Sequence, residues 1–63
     1  MSIEQFIEQL WNGDKNFKDQ VFIECDFSNI DLSECNFQHC YFRRINLSNA
    51  NLTGANIKEI EVK

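Results

Sequence analysis

A large apolar residue occupies every fifth position over most of this chain. The series consists of Phe17, Phe22, Phe27, Leu32, Phe37, Phe42, Leu47, Leu52, Ile57 and Val62. An amphipathic helix has a period of about 3.6 residues and a half-buried strand a period of about 2, so neither explains the series. A fixed short repeat is typical of a solenoid, in which each unit buries its apolar residue by stacking on its neighbours.

A second, mostly smaller set of residues lies two positions before each large one. Its members are Cys25, Ile30, Cys35, Cys40, Ile45, Ala50, Ala55 and Ile60. The three remaining positions of each unit are overwhelmingly polar. Two inward and three outward positions in every five residues predict a coil that turns a corner in each repeat.

These units are similar to the A(D/N)LXX units of pentapeptide repeat proteins. Examples are residues 50–54 (ANLTG), 55–59 (ANIKE) and 25–29 (CDFSN). The resemblance implies an all-β fold with a short N-terminal helix: a right-handed, quadrilateral parallel β-helix of about two and a half coils. In that fold four repeats form one coil, so residues twenty apart stack. The family shares an architecture rather than one chemistry, so the resemblance implies little about function.

The N-terminal segment has a different pattern, that of a short amphipathic helix over residues 2–12. Ser2 and Gln5 have the spacing of a capping box, and Asn12 with Gly13 is a helix stop signal. The apolar face consists of Ile3, Phe6, Ile7, Leu10 and Trp11.

A helix this short is marginal by itself, so its apolar face must pack on another surface. We expect that whole face, including Trp11, to cover the first coil. Residues 1–13 would then be an N-terminal capping helix and residues 14–63 the β-helix. Residues 13–17 (GDKNF) also resemble the segment that follows a short helix in some cyanobacterial members of the family.

Charge and composition exclude several classes of partner. The net charge of -4 argues against direct nucleic-acid binding, which needs a basic stripe. No apolar run approaches the roughly 20 residues of a membrane span, and no signal peptide is apparent. The three cysteines occupy inward positions, as small buried residues do in a reducing compartment, and the zinc-type CxxC spacing is absent. We therefore expect a cytoplasmic protein without metal or cofactor.

The pattern predicts no catalytic residues. A coil packed with Phe and Leu has no cavity for a substrate, and a nucleophile–base pair is missing because the cysteines point inward while His39 points outward. We therefore predict a non-enzymatic interaction or scaffold module that acts through its outer faces and its C-terminal end.

One candidate surface for a protein partner consists of Ile23, Tyr41 and Arg43. Ile23 and Tyr41 are unusual apolar residues at outward positions, and Arg43 lies in the column beneath Ile23. Aromatic residues and arginine are enriched at binding hot spots.

The C-terminal end is a second candidate surface. It presents Leu52, Ile57, Ile60 and Val62, which no helix covers, and an open edge of the backbone ladder. We expect a homodimer through this end, as the resemblance also implies, because gyrase-active members of the family dimerise in this way. A different partner and a longer natural chain are the alternatives.

A third surface is an acidic belt. It consists of Asp19, Glu24, Asp26, Asp31 and Glu34. Quinolone-resistance members of the family are similar to B-DNA in shape and charge and bind gyrase, so an alternative function is an acidic DNA mimic that binds gyrase or another DNA-binding protein. Duplex DNA carries one charge per about 1.7 Å, so mimicry requires length that a short rod lacks. A structural subunit of a larger assembly is a further alternative.

Overall fold

The computed structural model describes residues 1–63 and contains one helix and one small sheet. Helix α1 spans Ile3–Trp11, and the strands are β1 (Val21–Ile23), β2 (Tyr41–Arg43) and β3 (Glu61–Val62). The strands pair in parallel in the order β1-β2-β3. Turns and isolated bridges make up the rest of the chain, and α1 is too short and too polar to cross a membrane.

Residues twenty apart stack along the whole repeat region. Val21 pairs with Tyr41 and Tyr41 with Glu61 in the sheet. Outside the strands, the same register pairs Asn16 with Asn36, Asp26 with Asn46, Asp31 with Asn51, and Asn36 with Asn56. The predicted stacking register is therefore confirmed.

A side-chain hydrogen bond shapes most of the repeats. Oδ1 of Asp26 accepts from the backbone N–H of Ser28 at 2.9 Å, and Oδ1 of Asn46 accepts from that of Ser48 at 3.0 Å. The same bond forms at Asn16, Asp31, Asn36, Asn51 and Asn56. Asp and Asn favour such turns because their short side chains reach the backbone two residues on.

The fifth position of each repeat adopts the left-handed backbone conformation. It is occupied by Asp19, Glu24, Asn29, Glu34, His39, Arg44, Asn49, Gly54 and Glu59, with φ between 54° and 73°. In several repeats the chain then closes a four-residue turn, as where the N–H of Ile30 donates to the carbonyl of Phe27 at 3.3 Å. This conformation turns the corner that the two-in, three-out pattern predicts.

The buried core is formed by helix α1 and the first repeats. Its members are Phe6, Phe17, Phe22, Cys25, Phe27, Leu32, Cys35, Phe37, Cys40 and Phe42. Aromatic rings stack at the twenty-residue register: the centroids of Phe17 and Phe37 are 5.8 Å apart, and those of Phe22 and Phe42 are 5.6 Å apart. Such ring pairs add stability beyond the area that they bury.

Helix α1 begins with the predicted capping box. The Ser2 hydroxyl accepts from the N–H of Gln5 at 3.2 Å, and the Gln5 side-chain carbonyl accepts from the N–H of Ser2 at 3.3 Å. Phe6 is completely buried, with its ring centroid 4.5 Å from that of Phe17 and 4.6 Å from that of Phe27. The helix is therefore attached to the repeats through one aromatic side chain in particular.

The expectation that Trp11 packs with the rest of the apolar face is wrong, because its side chain is 85% exposed. Successive residues of an α-helix are rotated by about 100°, so Trp11 lies about 140° around the helix from Phe6. Leu10, about 40° from Phe6, packs against the core instead. The apolar arc of α1 is wider than the surface that the repeats can cover.

Candidate interaction surfaces

The three strands form where the Asp or Asn of the repeat is missing. The second position is occupied there by Val21, Tyr41 and Glu61, none of which can form the side-chain turn. Val, Ile and aromatic residues favour extended backbone, so this side of the solenoid continues as a sheet. Alternate residues of each strand point outward, which brings Val21 and Ile23 of β1 to the surface beside Tyr41 and Arg43 of β2.

We call Val21, Ile23, Tyr41 and Arg43 the sheet face. Ile23 and Arg43 are directly paired, and Tyr41 lies two residues before Arg43 on the same strand, so the three predicted residues are neighbours. Val21 and Ile23 are each 48% exposed, Tyr41 is half-buried, and Arg43 is exposed. Aliphatic, aromatic and arginine side chains on one rigid surface have the composition of an interface centre.

Val21 was missed by the sequence reasoning, although a signal for it was present. It is an aliphatic residue at a position that is Asp or Asn in most repeats. The backbone of Val21 is also fixed in place, because its carbonyl accepts a hydrogen bond of 2.6 Å from the α-amino group of Met1.

The C-terminal end face consists of Leu47, Leu52, Ile57 and Val62, which are 37–66% exposed. No repeat covers these side chains. In contrast, Phe27 and Leu32, which lie twenty residues before Leu47 and Leu52, are fully buried. The predicted Ile60 is half-buried and packs against the core, so it contributes less to this surface than expected.

Two carboxylates of the acidic belt take part in the turns. Hydrogen bonds from the side chain and backbone of Ser28 hold the pKa of Asp26 below its ordinary value, and those from Ser33 do the same for the pKa of Asp31. Oδ1 of Asp31 also accepts from the Asn51 amide at 3.3 Å. Both side chains therefore stay ionised and have a structural role.

The remaining belt residues all occupy left-handed positions. Glu24 forms an ion pair with Arg44 at 3.4 Å. The carboxylate of Glu34 lies over Gly54, where an added Cβ would come within 2.5 Å of it. Asp19 is exposed. The belt is thus spread around several turns, and part of its charge is neutralised locally.

Acid is expected to weaken the two Asp turns. Because the folded-state pKa of Asp26 and of Asp31 is lowered, their contribution to stability is present above the unfolded-state value of about 4 and is lost as the pH falls below it. The double variant Asp26→Asn, Asp31→Asn keeps the turn bond, as Asn46 and Asn51 do, but does not titrate. We expect its melting temperature to fall less between about pH 5 and pH 3 than that of the parent. Equal slopes in a thermal melt series would contradict this.

The three cysteines are free and buried. Burial raises the pKa of Cys25, Cys35 and Cys40, so each stays a neutral thiol rather than a reactive thiolate. Sγ of Cys40 donates to the carbonyl of Phe17 at 2.9 Å. The thiols thus behave as small core residues, and no group of three or more His, Cys, Asp or Glu is arranged to hold a metal ion.

Comparison with known proteins identifies the repeat region. A family model described as pentapeptide repeat region matches residues 13–63 of the 63-residue chain. No curated protein and no solved structure is similar enough to count as a match. The family match therefore bears on the architecture of the repeats, and the surfaces have to be interpreted from their own chemistry.

Proposed function

This chain belongs to the pentapeptide repeat family, and we propose that it is a non-enzymatic interaction module whose sheet face binds a protein partner. Proteins of this family are generally structural or interaction modules rather than enzymes. The observation that carries the proposal is the juxtaposition of Val21, Ile23, Tyr41 and Arg43 on the one side of the solenoid that forms a sheet.

The sheet face offers both apolar area and an available charge. Val21 and Ile23 remain half exposed, and burying a side chain of this size is worth about 1.5–3 kcal/mol when it is complete. Arg43 forms no ion pair within the chain, whereas the neighbouring Arg44 pairs with Glu24. The guanidinium of Arg43 is therefore free to bind a carboxylate of the partner in the bidentate geometry that favours arginine.

A pull-down from the native source tests this proposal. The variant Ile23→Ser, Arg43→Ser changes only exposed side chains, so it should fold like the parent. We expect this variant to capture at least about tenfold less of the partner than the parent does. Hot-spot residues at interfaces are worth more than about 1.4 kcal/mol each. The matched control is Asp26→Asn, Asp31→Asn, which alters the acidic belt and should retain the partner.

The same two variants test the acidic alternative, a DNA mimic that binds gyrase or another DNA-binding protein. The observation in its favour is that Asp26 and Asp31 have lowered pKa values and stay charged. If it holds, the parent inhibits DNA supercoiling by gyrase and Asp26→Asn, Asp31→Asn removes the inhibition, while the sheet-face variant keeps it. That result would overturn the sheet-face proposal. Binding that survives both variants would instead favour a structural subunit of a larger assembly.

We further propose that two copies associate through the C-terminal end face, which would form a homodimer. Leu47, Leu52, Ile57 and Val62 lie side by side without a covering repeat, and the backbone ladder is open there. A two-fold axis places the same patch against itself, so the apolar side chains of one copy can pack on those of the other. Dimerisation would leave both sheet faces accessible to partners.

The finer features of the architecture and the location belong to the same proposal. A five-residue repeat with a register of twenty supports a quadrilateral, right-handed coil, with about two and a half coils over residues 14–63 behind a capping segment of residues 1–13. The three free, buried thiols support a reducing compartment, such as the cytoplasm.

A further inference from the structure

Helix α1 carries an apolar stripe that the repeats cover only in part: Ile3 and Ile7 are half-buried against the core, whereas Trp11 is exposed. Ile3, Ile7 and Trp11 follow each other at intervals of four residues and therefore lie on one face of the helix. Together with Glu4, Glu8 and Asn12 they line an open groove along the helix. Phe6 is the only fully buried residue of α1, and the exposed parts of Ile3 and Ile7 continue from it to Trp11 along the groove.

Trp11 lines both this groove and a second hollow. The second hollow lies between the helix and the repeats and is lined by Ile7, Leu10, Trp11 and Ile30 together with polar residues. The indole is thus flanked by apolar side chains on both sides while remaining 85% exposed. A large aromatic side chain in such a position is the kind of residue that anchors an interface.

The negative charge beside the apolar stripe indicates which kind of partner the groove would bind. Taking Phe6 as the origin, Trp11 lies at about 140° around the helix, Glu4 at about 160° and Glu8 at about 200°. The last turn contains no basic residue to neutralise them. Glu4 lies in the first turn, where its negative charge also interacts favourably with the helix dipole. Glu8 lies beyond that turn, so the dipole does not account for its charge. An acidic border on a protein of net charge -4 repels anionic lipid and nucleic acid and attracts a basic segment.

We propose that this groove binds a basic amphipathic helix of another protein. Apolar side chains of that helix pack on Ile3, Ile7 and Trp11, and its lysines or arginines pair with Glu4 and Glu8. Recognition of an amphipathic helix by an apolar groove is a common mode of peptide binding. The nine residues of α1 are about 13 Å long, so they accommodate two to three turns of the partner. This site is separate from the sheet face and could be occupied at the same time.

Trp11 is the only tryptophan, so its fluorescence reports directly on the groove. The probe is a short helical peptide of leucine and lysine with leucine at i, i+3, i+4 and i+7, titrated into the full chain at low salt. We expect a saturable shift of the emission to shorter wavelength as the indole is covered, and weaker binding as salt is added. A peptide in which glutamate replaces every lysine should produce no shift.

Variants of the full chain locate the binding site. Glu4→Gln with Glu8→Gln should weaken binding of the Leu/Lys peptide about three- to tenfold, as expected for two exposed ion pairs. Trp11→Ala, followed by calorimetry, should weaken it about thirtyfold. The matched control is Glu34→Gln with Glu59→Gln, which removes the same charge elsewhere and should leave the affinity unchanged.

Three results would overturn the proposal. The first is no emission shift with the Leu/Lys peptide. The second is equal weakening by the control pair, which would mean that the peptide responds only to net charge. The third is a shift with vesicles of phosphatidylserine and phosphatidylcholine but not with the peptide, which would make the stripe a lipid-binding surface. Circular dichroism of each variant verifies that the fold is retained.

Discussion

Replacing Phe6 by alanine is expected to remove a large share of the free energy of unfolding. The Phe6 ring is completely buried and lies 4.5–6.2 Å, centroid to centroid, from the rings of Phe17, Phe22, Phe27 and Phe37. Truncating a buried phenylalanine costs about 3–5 kcal/mol, because the apolar contact is lost and a cavity remains. A domain of this size has a total stability of about 3–9 kcal/mol, so the substitution removes about a third of it or more.

Urea unfolding followed by circular dichroism measures this effect. Trp11→Ala is the matched control, because it removes an even larger aromatic side chain from the same helix but from an exposed position, and it should change the free energy of unfolding by only about 0.5 kcal/mol. Phe6→Leu should lie between the two, since it refills most of the volume. A Phe6→Ala variant as stable as the parent would show that α1 contributes little to the core.

The second large effect is expected at the C-terminal end face. Light scattering should give twice the 7.5 kDa mass of the chain for the parent, and the mass of one chain for Ile57→Lys with Val62→Lys. Both side chains are at least half exposed, so the lysines can be solvated in the monomer, whereas a dimer would bury four ammonium groups against apolar surface. Unpaired buried charges cost several kcal/mol, enough to weaken the dimer by more than about a hundredfold.

The control for this experiment adds the same charge at outward positions. Lys18 and Lys58 already occupy the fourth position of their repeats, so Ser48→Lys with Thr53→Lys is compatible with the fold and should remain dimeric. A parent chain that is monomeric at micromolar concentration would contradict the proposed homodimer. A control pair that dissociates as readily as the end-face pair would show that net charge, rather than the end face, governs association.

Local periodicity alone determined the repeat architecture. Each position of a repeat stacks on the same position of the repeat twenty residues later, so the inward and outward positions follow from the spacing of residues such as Phe17 and Phe37 without knowledge of distant contacts. The capping box of Ser2 and Gln5 was predictable for the same reason, because it is a contact within one helical turn. The position of the sheet could also have been predicted, since it forms where the turn-forming Asp or Asn is replaced.

Only the tertiary structure decided which apolar side chains are covered. The sequence of α1 presents an apolar arc from Phe6 to Trp11 and does not state which part of it faces the repeats. The limited area of the first repeats selects Phe6 and leaves Trp11 in solvent. Leu47 occupies the same position in its repeat as the buried Leu32. It is nevertheless exposed, because burial requires a further repeat that covers it. Periodicity is a property of neighbouring residues, whereas burial depends on the surfaces that the folded chain brings together.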